Sequence, residues 1–410
     1  MSINKIPDDG PKLKVSGVEI KHPVFVDDMA GIGHAEVIES MEPKMKHLEK
    51  TKKYIFNNEK GKSEIMKIEP RKLTKRSENK NPIVTVKKGV IGNTERYKYM
   101  GDMYDKTGTN LPKIEKKMEK SSFIASEVCR MGNYAEVGAA DTSVRELLME
   151  TVVKPSLLFN TETWINITKE ELRRIDKQHY MILKRIFEQK EHVPYYGILA
   201  ETGYWPFSYV IVYKRLMFFH HLIHSEERRI ARRITINQMN AERPSGTNWY
   251  AGVKEWLEKL ELTSDEERIK EIEKSKWKKE VKEKIGKVVS EEIGKKTMEM
   301  KKLRFIRNNE KKEYIKANRM AKVKSMMKVR LNMVEIKANF KGKYKDLKCA
   351  ACKKEEETTE HVIKCSEYKR LIGHSIEVEN TVEESMQETE WLKEASEVFE
   401  RIEETRQWLM

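Results

Sequence analysis

The sequence predicts an α+β chain: a short strand-bearing region first, then a long helical middle, then a small metal-binding region. Three observations predict it. Apolar residues alternate through Leu13, Val15, Val18 and Ile20 and lead into Val24-Phe25-Val26-Asp27-Asp28-Met29. From Asn110 onward, apolar positions recur at helical spacing. Finally, Cys349, Cys352, His361 and Cys365 fall as C-x2-C-x8-H-x3-C, an arrangement suited to tetrahedral Zn²⁺.

The strand region is expected to begin as a hairpin arm turning at Gly17. Its second hairpin carries paired acids at the tip: Val24 to Val26 enter, Asp27 and Asp28 turn, and Met29 to Ile32 leave. Paired carboxylates offer hard oxygen ligands for Mg²⁺. Val37, Ile38, Met41, Met45 and Leu48 then set a helix over about 34–48, interrupted by Pro43. Further strands are expected at Lys53 to Phe56, Ile83 to Val86 and Tyr97 to Gly101, with a polar loop from Glu69 to Asn81.

Pro112 is placed to begin a helix. Ser143 to Val153 carries Val144, Leu147, Leu148 and Val152 on one expected face, and Pro155 is expected to end it. Thr168 and Glu171 have capping-box spacing, opening a helix with Leu172, Ile175, Ile182, Leu183 and Ile186 inward. Val193 to Pro206 reads as a turn-rich aromatic connector, followed by a helix from Tyr209 to Ile223. Arg243-Pro244-Ser245-Gly246 reads as a linker. Ser264 and Glu267 offer a second capping box. Glu266 to Lys302 is dense in Lys and Glu, as a long exposed helix would be, with breaks expected at Gly286 and Gly294.

The chain has 410 residues and a net charge of +15, with 38% hydrophobic and 36% charged residues. Small cores and solvated helices follow, and the positive excess favours polyanion partners, nucleic acid first. No apolar stretch reaches the roughly 18 residues of a membrane span. Met1 to Lys12 lacks the apolar core of a signal peptide. Three of the four cysteines lie within one short stretch, which fits a metal site in a reducing compartment better than a disulfide scaffold. An intracellular protein of nucleus or cytoplasm is expected, with no membrane partner. Between Lys322 and Lys348, nine Lys or Arg stand against Glu335 and Asp346. Lys322, Lys324, Lys328 and Arg330 are candidates for phosphates, and Phe340 and Tyr344 for stacking on bases.

Four soft or imidazole ligands leave no open coordination position, so the Cys349/Cys352/His361/Cys365 site is structural in kind. Cys129 stands apart as a small buried residue. His220, His221 and His224 are read as helix-packing and solvent-facing residues rather than ligands.

Together these pieces resemble the C-terminal portion of a non-LTR (LINE-like) retrotransposon reverse transcriptase. Phe25-Val26-Asp27-Asp28 is similar to that family's F/Y-x-D-D hairpin in the polymerase palm. Lys50-Thr51, after a helix, resembles the next palm element, where a lysine is proposed to act on the pyrophosphate leaving group. Tyr97 to Gly101 resembles the primer grip, and Leu157 to Trp164 with Val193 to Pro206 the helical thumb and connector. The Cys/His motif, with Glu357-Thr358-Thr359-Glu360 before His361, resembles the family's cysteine–histidine region.

The resemblance implies a partial palm over 1–105, a helical thumb and connector over 106–242, basic helices over 243–348, the zinc motif over 349–368 and a C-terminal helix over 369–410. It implies catalytic roles for Asp27, Asp28 and Lys50, with Mg²⁺ on the two aspartates, structural Zn²⁺, and a template–primer of RNA and DNA. Only 26 residues precede Asp27, and Asp8 and Asp9 sit in a Pro/Gly-rich opening without a strand pattern. The fingers, the upstream palm aspartate and the nucleotide-selecting loop are therefore expected to be missing, leaving the chain unable to polymerise alone. The alternative is a non-catalytic nucleic-acid-binding module of basic helices and a zinc knuckle. A helical interaction protein whose charge is incidental is a third possibility.

Overall fold

The computed structural model describes the chain except 1–12, 16, 21–23, 26–27, 30–37, 40, 54, 69–81, 132–141, 190–191, 242–247, 307–309, 318, 375, 379–380 and 410. The described residues are mostly helical, with few strands. They fall into two compact units. The first comprises Met1–Lys117, Asn160–Glu171 and Lys214–Lys279; the second comprises Met118–Phe159, Leu172–Tyr213 and Glu280–Met410.

Among the described residues, the strands of the first unit form five separate two-stranded ladders rather than one sheet. β1 (Leu13–Val15) and β2 (Val18–Ile20) make the expected hairpin, with Gly17 at φ +75° in its turn. β3 (Val24–Phe25) and β4 (Asp28–Met29) pair Phe25 opposite Asp28. Asp28 thus lies on the outgoing strand rather than in the turn, and the rest of that strand as expected, 30–32, lies outside the described residues. α1 (Met41–Lys52) carries Pro43 within its first turn, where a missing N–H is harmless; 34–37 and 40 lie outside the described residues. Lys50 lies inside α1 rather than after it, on an exposed position.

Met41 and Met45 of α1 pack with Val84, Val86 and Ile91 in a small core, with Phe56 and Ile65 partly buried beside it. β5 (Glu64–Ile65) pairs in parallel with β8 (Gly92–Asn93), and β6 (Thr85–Val86) antiparallel with β7 (Gly89–Val90). The strand expected at Lys53 to Phe56 is absent among its described residues. The polar loop from Glu69 to Asn81 and the linker Arg243 to Gly246 lie outside the described residues. β9 (Arg96–Tyr99) and β10 (Asp102–Asp105) form a hairpin whose turn residues, Met100 and Gly101, have φ +50° and +85°. Positive φ at both positions matches the right-handed twist of a hairpin.

α2 (Leu111–Met131) starts at the expected proline. α3 (Thr142–Leu148), a π turn over Met149–Val153, and α4 (Lys154–Leu158) then run end to end. Pro155 does not end the helix. The wider π turn just before it leaves room for a ring that lacks an N–H donor. The predicted face is also corrected: Leu147 and Val152 are exposed, while Arg145, Glu146, Met149 and Val153 are buried.

The capping box at Thr168 forms in both directions and opens α5 (Lys169–Ile186). Ile175, Ile182, Leu183 and Ile186 are buried on α5 as read. The connector is more regular than expected. α6 (Tyr195–Thr202) runs from Pro194 to Gly203, which closes it at φ +69°. α7 (Phe207–Ile223), α8 (Ile230–Met239) and α9 (Trp249–Lys259) follow. Arg215 on α7 is buried and donates to the carbonyls of Trp164 at 2.8 Å and Trp249 at 3.2 Å.

α10 (Glu266–Glu271) is capped by Asp265, not Ser264: the Asp265 carboxylate accepts the Arg268 N–H at 2.8 Å. α11 (Lys274–Glu299) runs unbroken through Gly286 and Gly294. Each glycine costs about 1 kcal/mol against alanine. The buried row Val281, Ile285, Val289 and Ile293 outweighs that cost, and it also makes α11 half-buried instead of fully solvated. After α12 (Glu313–Ala317), α13 (Met320–Arg330) pairs along α17 (Thr389–Leu409). α14 (Thr359–Lys364), α15 (Ser366–Ile372) and α16 (Val382–Ser385) lie between them in sequence. Among the described residues, no helix is long and apolar enough to cross a membrane.

Candidate metal centre

Two local structures bring the four ligands together. The first is a turn closed by an antiparallel bridge between Lys348 and Glu356. Cys349 donates its N–H to the Glu355 carbonyl at 2.7 Å, and Lys353 donates back to the Cys349 carbonyl at 3.0 Å. Lys353 takes φ +60°, a left-handed step that turns the chain just after Cys352. The second is the start of α14. Thr358 caps that helix by accepting the His361 N–H at 3.1 Å. His361 and Cys365 follow one helical turn apart, Cys365 standing at the junction of α14 and α15.

The four ligand atoms all lie within 4.8 Å of one another. The sulfurs of Cys349 and Cys365 are 3.9 Å apart, and Cys352 Sγ is 3.3 Å from His361 Nε2. A tetrahedral ion with Zn–S bonds of about 2.3 Å holds its sulfurs roughly 3.8 Å apart. The donor set and spacing therefore fit zinc, with no position left over for substrate. Cys349 and Cys365 are buried, while Cys352 and His361 are partly open. His361 Nδ1 lies 3.2 Å from a Glu355 carboxylate oxygen, which holds the ring so that Nε2 faces the sulfurs.

The thiols are electrostatically unequal. Burial pushes Cys349 up to about 12, helped by Cys365. Burial raises Cys352 as well, but backbone donors from Lys354 and Glu355, with Cys349 and His361, outweigh it and bring it to about 6. A bound cation supplies the charge that keeps buried sulfurs as thiolates.

Behind the turn lies Glu357, fully buried. Its carboxylate accepts the backbone N–H groups of Ala350 and Lys337, both at 2.9 Å, and the Tyr368 hydroxyl at 2.8 Å. It also pairs with Arg406 at 3.2 Å. The sequence reading missed the roles of Glu355 and Glu357. Their one signal was the acidic run Glu355-Glu356-Glu357 inside the Cys–His interval, which looks like a solvated loop.

The other predicted site residues are not gathered here. Asp27 lies outside the described residues, and Asp28 is placed by its backbone pairing with Phe25. The phosphate-binding assignment of Arg330 is corrected: its side chain is 2% exposed and pairs with the fully buried Glu201 at 2.8 Å. A guanidinium at that depth holds α13 to α6 and cannot reach a phosphate. Lys322 pairs with Glu397 at 2.6 Å, Lys324 with Glu188 at 3.6 Å, and Lys328 with Glu403. Ser325 donates to Glu400 between two of these rungs. The constant offset of 75 residues at 322, 325 and 328 means that α13 and α17 run parallel. Lys302 lies over the Phe340 ring at 5.0 Å, and Tyr344 sits under Lys343 and Arg406.

His220 is buried with Nε2 2.8 Å from the Ile272 carbonyl, a packing role. Cys129 is half-buried, its thiol 3.4 Å from the Arg185 carbonyl.

No family model, curated protein or solved structure matches the chain.

Proposed function

We propose that the chain is a nucleic-acid-binding protein of the non-LTR retrotransposon reverse-transcriptase type, carrying a structural zinc knuckle. The Cys349/Cys352/His361/Cys365 cluster carries this reading, because it closes to zinc dimensions downstream of a long helical segment. Two hairpins support it from the other end: Val24–Phe25 with Asp28–Met29, and Arg96–Tyr99 with Asp102–Asp105. On this reading Asp27 and Asp28 offer carboxylates to Mg²⁺, Lys50 offers an ammonium toward pyrophosphate, and the partner is an RNA–DNA template–primer. Nucleotidyl transfer of this kind uses the metal to stabilise attacking and leaving oxygens.

The test is binding and extension of a labelled template–primer by the purified protein. Affinity should fall steeply between about 50 and 200 mM salt, since binding releases counterions. Salt-independent affinity sinks the reading, and Mg²⁺-dependent extension abolished by Asp27→Ala would assign the aspartates a catalytic role.

The closed zinc site favours a second reading, a binding module with no chemistry. It predicts that Asp27→Ala and Asp28→Ala leave every nucleic-acid property unchanged.

A further inference from the structure

Within the second unit, α13, α17 and the stretches around Gln189 and Phe340 enclose a cavity of about 930 Å³. That volume lies at the upper end of the roughly 300–1,000 Å³ typical of ligand pockets. Its wall combines apolar, aromatic and cationic side chains with the carboxylates of Glu188, Glu335, Glu400 and Glu403. Buried Val193, Val329, Met333 and Phe399 make an apolar floor. Phe340 also lines the cavity, partly buried, with Lys302 over its ring at 5.0 Å. Arg319 and the lysines Lys324 and Lys343 bring positive charge to the lining.

These cations are available. Arg319 is exposed and makes no ion pair among the described residues. The Lys324–Glu188 contact is long, 3.6 Å, with 46% of the lysine side chain exposed. Lys343 is 60% exposed in its pair with Glu335. Exposed pairs of this kind bind their partners weakly, so a phosphate can displace the carboxylate. The carboxylates of Glu400 and Glu403, by contrast, are tied to Ser325, Lys328 and the Glu335 N–H.

An apolar floor, one partly buried aromatic ring and displaceable cations form a pocket for a flat ring attached to a phosphate. We propose that this cavity receives an unstacked nucleotide of a single strand, its base against Phe340 and its phosphates near Arg319 and Lys324. Stacking and phosphate neutralisation are the two terms by which proteins hold single strands. The inference rests on the nucleic-acid reading proposed above and names the place where a strand is held.

The experiment is fluorescence anisotropy with labelled oligouridylate of roughly 12 nucleotides, a length within the usual range of single-strand sites. A duplex of the same length serves as the second probe. The full chain is compared with Phe340→Ala, Arg319→Glu and Lys324→Glu, with zinc content and melting temperature as folding controls. Phe340→Ala should weaken oligouridylate binding about tenfold or more. Arg319→Glu, at an exposed position that leaves the core intact, should lower the salt slope by about one unit. Duplex binding should change much less. If the wild-type chain binds oligouridylate and all three variants bind it equally well, the cavity is not the site, although the nucleic-acid reading survives. If the wild-type chain binds neither probe, both fall. If polyglutamate competes as well as RNA does, the surface is a generic polyanion face and the base pocket is overturned.

Discussion

Glu357 and Arg406, 49 positions apart in the sequence, form an ion pair in which neither side chain is more than 2% exposed. The same carboxylate holds Ala350, between Cys349 and Cys352 of the candidate metal cluster. The metal turn and the last helix are therefore braced by one group. Removing one partner of a buried pair leaves an uncompensated charge, costing about 3–5 kcal/mol. Arg406→Met should destabilise the protein by that order, and Glu357→Gln combined with Arg406→Met by less than the sum of the single changes. Urea unfolding of the four proteins in a double-mutant cycle measures the coupling.

Zinc removal should act on the same region. The purified protein should carry one zinc per chain, lost with Cys352→Ser or His361→Ala and retained with Cys129→Ser. Chelation should lower the melting temperature, because metal binding free energy is folding free energy. Elemental analysis beside calorimetry checks both points. Full zinc occupancy in Cys352→Ser would contradict the ligand set.

Two glycines should respond in opposite directions to alanine. At Gly203, φ is +69° and an added Cβ would lie 2.9 Å from the Lys311 backbone nitrogen. Gly203→Ala should cost about 1–3 kcal/mol. At Gly294, inside α11, an added Cβ meets nothing within 4 Å. Gly294→Ala should stabilise by about 0.5–1 kcal/mol. Shifts in denaturation midpoint at constant slope would report both.

Asp176 should leave a mark on the pH dependence of stability. Burial pushes its carboxyl up to about 6, only partly countered by Ser208, whose N–H reaches it at 2.9 Å. The native state thus holds this proton more tightly than the unfolded chain, whose aspartate titrates near 4. Asp176 therefore costs stability above about pH 6, and that cost fades as pH falls through 6 toward 4. Asp176→Asn, which keeps an acceptor for Ser208, should be more stable than the wild type at pH 7 and lose its advantage by about pH 4. A stability difference that does not change with pH would contradict the assignment.

The sequence discloses contacts that span a few residues and conceals those that span many. The capping box at Thr168 and Glu171, the hairpin turn at Gly17 and the Cys–His cluster are all local pairings, and each forms. Asp265 took the cap from Ser264 because a stronger acceptor stood one residue along, a competition that spacing alone does not resolve. The lysines of α13 read as a basic strip because their acidic partners on α17 lie 75 residues away. Arg330 finds Glu201 across 129 residues, so nothing near it in the chain foretells its burial. The inner face of the helix through Pro155 was hidden because it carries Thr142, Arg145 and Glu146 beside Met149 and Val153, so the apolar pattern of Leu147 and Val152 pointed away from it.

The buried residues of α11 have a geometric consequence. Val281, Ile285, Val289, Ile293 and Thr297 repeat every four residues, whereas an α-helix advances about 100° per residue. Each step therefore carries the buried line about 40° further round the axis, or roughly 160° from Val281 to Thr297. A straight neighbour can follow a seam only when the seam stays on one side. The groups that cover this row must therefore approach α11 from one quarter near Val281 and from almost the opposite quarter near Thr297.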